Sequence, residues 1–95
     1  MTSKEFRTKV LKKLKFEMVR TKKHESWHLK SDSGKIWERT VVSHGNEEVG
    51  KGLRSKFIRQ TGIASSEDFD LIFACTMSKE EYYRKKFNSD TLPNE

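Results

Sequence analysis

The sequence has one cysteine, Cys75, so neither an internal disulfide nor a cysteine-rich zinc site can form within the chain. That usage predicts a reducing compartment, and a cytoplasmic location is expected. No apolar run approaches the ~20 residues that a membrane span requires. The opening stretch MTSKEFRTKVLKKLKF has no continuous apolar segment either, which predicts no secretory leader. Neither of the common glycine-rich phosphate loops is present. Apolar residues are scarce at 33% and charged residues make up 36%, against roughly 25% charged in ordinary domains. That composition lies near the border with disorder. Six Phe, two Trp and two Tyr nevertheless supply the aromatic surface for a core.

What is there is one small domain of 95 residues with a thin core. Lys and Arg number 20 against 14 Asp and Glu, a net charge of +6. The excess is all in residues 1–35, which hold eleven basic and four acidic side chains. Residues 36–95 hold nine and ten. A basic half on a small protein points to a polyanion, nucleic acid first. A solvated, lysine-rich surface is the other reading of the same charges.

Thr2 followed by Glu5 fits a capping box. Phe6, Val10, Leu11 and Leu14 then recur at helical spacing, which predicts a helix over 3–14 with Lys4, Arg7, Lys9, Lys12 and Lys13 outside. From Phe16 the period becomes two, and a strand is expected over 16–21, with a basic turn from Arg20 to Lys23. A second strand over 25–30 places Trp27 and Leu29 on one side and His24, Ser26 and His28 on the other. Ser31-Asp32-Ser33-Gly34 signals a hairpin turn, followed by a third strand over 35–42. After a loop at 43–52 come a helix over 53–61 ended by Gly62, a helix capped by Ser65 or Ser66, and a helix begun by Ser78 and Glu81. Residues 88–95 are polar and are expected to form a flexible tail. Cys75, beside Phe73 and Ala74, is expected to be a small buried hydrophobe.

Residues 43–63, SHGNEEVGKGLRSKFIRQTGI, resemble the HicA family of toxin messenger-RNA interferases. In that family a strand ending V-P-x-H precedes a short loop, a Gly and a helix of the type L-R-x-I-L-K-Q-x-G-I. Here Val41-Val42-Ser43-His44, Gly52-Leu53-Arg54 and Ile58-Arg59-Gln60-Thr61-Gly62-Ile63 stand in those places, without a gap. Lys22-Lys23-His24-Glu25 stands where the family's G-S-H motif begins the second strand, and Val42 replaces the proline. The resemblance covers residues 3–63. It implies an α+β, double-stranded-RNA-binding-like fold with an α-β-β-β-α core and a three-stranded antiparallel sheet. Residues 1–63 would be the core, 64–87 a helical extension of the same domain and 88–95 the tail. It also implies endoribonuclease activity on RNA and a cognate antitoxin.

RNA carries its own nucleophile, the 2′-hydroxyl, so cleavage needs no metal and no cofactor is expected. It needs groups that move protons and positive charge at the phosphate. Histidine, with an ordinary pKa of about 6.5, suits the proton work. His24 takes that place by the resemblance; His28 takes it if the alignment slips to set Ser26-Trp27-His28 over G-S-H. Four residues apart on one strand, the two lie roughly 13 Å from each other at the ordinary rise, too far to share a phosphate oxygen. Lys22 and Lys23 are the candidate phosphate ligands beside His24, with Arg20, Lys30, Lys51 and Arg54 extending the basic face. His44 is expected to order the loop after the third strand. Trp27 is expected in the core, while Trp37 has no clear side. The same basic face also suits a non-catalytic RNA-binding module, or a domain that meets an acidic protein.

Overall fold

The capping box forms. Thr2 Oγ1 accepts from the Glu5 amide at 3.2 Å, and the Glu5 carboxylate accepts from the Thr2 amide at 3.0 Å. It starts α1 (Ser3–Phe6), which continues into a π-helical turn, Arg7–Leu11, in the computed structural model, which describes residues 1–43 and 45–94. There the Lys12 amide donates to the Arg7 carbonyl, five residues back, at 2.9 Å. The helical run stops at Lys15, whose φ of 67° is left-handed. The Phe16 amide then donates to the Leu11 carbonyl at 2.9 Å, a Schellman closure that turns the chain into the sheet.

Strands β1 (Glu17–Arg20), β2 (His24–Lys30) and β3 (Ile36–Ser43) form an antiparallel sheet in the order β1-β2-β3. Helices α2 (Lys51–Thr61), α3 (Ser66–Phe73) and α4 (Lys79–Phe87) follow. The protein is therefore α+β, with helix, three strands and helix in the order expected, and two further helices. Register pairs Trp27 with Met18 and Thr40, and Glu25 with Arg20 and Val42, so these residues share the face that meets the helices. The Phe6 ring stacks on Phe57, centroids 4.0 Å apart, with Phe69 at 6.0 Å. Trp27, Leu29 and Val42 close this core from the sheet side. Each such side chain contributes about 1.5–3 kcal/mol by leaving water.

Gly62 ends α2 at a φ of 72°, and a Cβ there would run into Lys86 Nζ. Lys86 pairs with Glu38 at this point, so α4 is joined to β3 directly over the glycine. The Tyr82 hydroxyl donates to the Thr61 carbonyl, and the Tyr83 hydroxyl donates to the Leu14 carbonyl at 2.8 Å. Burial pushes the Tyr83 phenol up to about 12 and raises Tyr82 as well, so both remain donors at any ordinary pH. The C-terminal helices thus close the same core as residues 1–63.

One expectation is corrected. Cys75 is exposed, not buried: it occupies the left-handed position that ends α3, φ 64°, and accepts from Lys13 Nζ at 2.9 Å. Residues 93 and 94 meet the β2–β3 turn and β3. The Trp37 indole donates to the Pro93 carbonyl at 2.9 Å, Ser31 and Ser33 donate to the Asn94 carbonyl, and Leu92 packs on the core. Met18 is 41% exposed despite its inward register, because α1 stands away from β1 and leaves a groove between them. Among the described residues no helix is long and apolar enough to cross a membrane.

Candidate nucleic-acid interface

The β1–β2 connection is a tight hairpin. The Thr21 amide donates to the His24 carbonyl at 3.0 Å, and the His24 amide donates to Thr21 Oγ1 at 3.2 Å. The Thr21 hydroxyl donates back to the same carbonyl. Lys22 and Lys23 form the tip, exposed and without an ion pair among the described residues. His24 opens β2 opposite Ser43 and is exposed, its ring unbonded among the described residues. Two ammonium groups and an imidazole are thus presented together at one end of the sheet.

His28 lies on the same side of β2 but at the other end, opposite Glu17 and Arg39. Its Nε2 is 2.8 Å from Ser26 Oγ, and that oxygen accepts from Arg39 Nε at 3.2 Å. A guanidinium only donates, so the assignment that uses every proton has Ser26 donating to a neutral His28. Burial first, then the Arg39 and Lys30 charges, lower the His28 pKa below the usual 6.5. The unfolded chain consequently takes up a proton there more readily than the native one, and stability falls as pH drops through 6.5 toward the lower native value. Denaturant midpoints measured between pH 7.5 and 5 should fall for the wild type, with a shallower fall for His28→Gln. Identical slopes would show that His28 stays as solvated folded as unfolded.

On the helix side of the sheet, the groove between α1 and β1 encloses about 320 Å³. Lys4, Thr8 and Lys12, spaced by one turn each, form one wall; Met18 and Arg20 form the other. The floor is Glu25 and Trp27, 6% and 4% exposed, with the indole donating to Glu25 Oε1 at 3.0 Å. Arg7 donates to the carbonyls of Ser43 and Gly45 at 3.0 and 2.6 Å and lies 3.7 Å from Glu25. Arg20 lies 3.6 Å from the other Glu25 oxygen with most of its side chain exposed. Sequence reasoning took the cations of residues 4–13 as one outer face. In fact Lys9 lies over Phe73 and Lys13 bonds Ile72 and Cys75, while Lys4, Arg7 and Lys12 line the groove, Arg7 turned to its Glu25 floor.

Of the remaining candidates, Lys30 lines a second, larger groove with Lys12 and Lys15. Lys51 is exposed in the first turn of α2. Arg54 is committed elsewhere: it donates to Ser66 Oγ at 2.7 Å, pairs with Asp70 and lies over the Phe69 ring, bracing α2 against α3. Trp27 is in the core. Trp37 is the extra residue of a β-bulge, and its ring meets Phe87 edge-on. His44 lies outside the described residues. Among the described residues no group of three His, Cys, Asp or Glu side chains is placed to hold a metal ion. Comparison with family profiles, with curated proteins and with solved structures finds nothing that matches this chain.

Proposed function

We propose that this protein is a HicA-like endoribonuclease with a double-stranded-RNA-binding-like core, cutting RNA without a metal and using His24 as general acid or base. The observation that carries this reading is the exposed His24 beside Lys22 and Lys23, which have no ion pair among the described residues, at the tip of the β1–β2 hairpin. In the reaction the RNA 2′-oxygen attacks the adjacent phosphorus, the bond to the 5′-oxygen breaks, and a 2′,3′-cyclic phosphate forms. The 2′-hydroxyl loses a proton and the leaving 5′-oxygen gains one; His24 carries one of these transfers. Lys22 and Lys23 oppose the charge that grows on the phosphate oxygens. His28, held by Ser26 and Arg39 at the far end of the strand, belongs to the same face but serves as a secondary candidate. A cognate antitoxin would cover this basic surface.

A non-catalytic RNA-binding module is the second reading. One observation favours it: no described side chain orients the His24 ring by a hydrogen bond. Binding tests the part the two readings share. Lys22→Glu/Lys23→Glu should weaken association with RNAs of any sequence at moderate salt, because phosphate contacts position rather than specify. Unchanged affinity in a titration of several unrelated RNAs would place the phosphate site elsewhere.

A further inference from the structure

Resting on that RNA reading, we infer that the trench between α1 and β1 is the track for a single-stranded RNA backbone, leading it to the hairpin that carries His24. The groove described above adjoins a second one of about 570 Å³, and the two share Lys12. The second is lined by Lys15 and Lys30, with the acids Glu17 and Asp32 on its rim. Because the helical run over residues 3–14 is antiparallel to β1, the trench passes from Lys15 and Lys30, along Lys12, to Lys4 and Arg20. Residue 20 is the last of β1, so the trench opens at the turn holding Lys22, Lys23 and His24. Lys4 and Lys12, two turns apart on the helical run, are separated by about 11 Å along its axis, room for two or three successive phosphates.

The electrostatics of the trench favour an anion that travels along it. Lys4, Lys12, Lys15 and Lys30 are exposed and have no ion pair among the described residues. The acid at its floor, Glu25, is bracketed by Arg7 and Arg20. Glu25 acts as a positioning residue, fixing the root of Arg20 while the rest of that side chain reaches the lip. A strand of RNA, with one charge per nucleotide, matches this spacing of cations. The trench is a slot between one helix and one strand, which suits a single strand lying lengthwise rather than a duplex. Its aromatic residues, Trp27 and Phe16, are buried, so no ring is offered for base stacking. The track therefore holds backbone and tolerates any sequence, with Met18 as the apolar surface beneath the sugars.

The test is the salt dependence of binding to a fluorescent 12-nucleotide oligouridine, using the full chain. Two variants each remove two charges: Lys4→Gln/Lys12→Gln in the trench, and Lys56→Gln/Lys79→Gln, which do not line it. Each lost phosphate contact on a single strand lowers the slope of log K against log salt by about 0.7. The trench variant should lose about 1.4 in slope, and the control should keep the wild-type slope. Equal losses in both variants would reduce the effect to net charge and overturn the track. A slope that falls only with Lys22→Glu/Lys23→Glu would leave the RNA reading standing and remove the trench from it. Tighter binding of an RNA duplex, or of a polyglutamate peptide, would assign the trench to a different occupant and overturn the inference. Absence of RNA binding by the wild type at low salt would refute the RNA reading itself.

Discussion

His24→Ala should lower the rate of RNA cleavage by about 10²–10⁴-fold, the usual contribution of one positioned proton-transfer group. The fold should survive, because the ring is exposed and the bonds that close the β1–β2 turn come from the backbone of residue 24 and the side chain of Thr21. RNA affinity should change little, since Lys22, Lys23 and the trench lysines remain. Cleavage and binding are therefore expected to separate: the rate collapses, and the dissociation constant moves less than about threefold, under about 0.7 kcal/mol. His28→Ala is the companion measurement. A larger loss there than at position 24 would move the chemistry to the Ser26–His28–Arg39 group, and equal cleavage by wild type and both variants would leave a non-catalytic RNA binder.

Phe57→Ala should cost about 3–5 kcal/mol, the range for emptying a large aromatic site. Phe57 is 1% exposed and stacks face to face on Phe6 at 4.0 Å, at the meeting of α1 and α2 over the sheet. Domains of this kind are stable by roughly 5–15 kcal/mol in all, so the variant should be close to unfolded at 37 °C. Leu53→Ala, four residues earlier on α2 and 40% exposed, should cost well under half as much. Urea titrations of the pair check this, and similar midpoints would mean that α2 is not seated as described.

The elements were legible because each carried its own local signal. Thr2 with Glu5 and Ser78 with Glu81 form the capping boxes that their spacing requires, and Gly62 has the left-handed φ that its position after α2 requires. Period two in β2 put Trp27 and Leu29 inside. What failed to show was tertiary. Glu25 and Ser26 are adjacent and both buried, one under the α1 groove and the other beneath His28 and Arg39, because the sheet is covered on one face and carries a polar cluster on the other. Alternation alone marks only one of two neighbours as inward. Cys75 has apolar neighbours in sequence, yet it closes the turn after α3, where side chains point to solvent. Arg54 matched the resemblance by type, but Ser66 and Asp70, twelve and sixteen residues on, claim its guanidinium. The trench cations were visible only as an undivided basic helix face, since the spacing of Lys4, Thr8 and Lys12 does not say which strand lies beside them.

The most direct test is the chemistry of the cut ends. Purified protein incubated with RNA in EDTA should yield fragments ending in a 2′,3′-cyclic phosphate and beginning with a 5′-hydroxyl, as read by mass spectrometry. The same oligonucleotide with a single 2′-deoxy residue at the cut site should resist cleavage there, because the attacking oxygen is gone. Intact RNA under these conditions, or fragments with 3′-hydroxyl and 5′-phosphate ends, would contradict cleavage by the RNA's own 2′-oxygen with His24 as proton carrier.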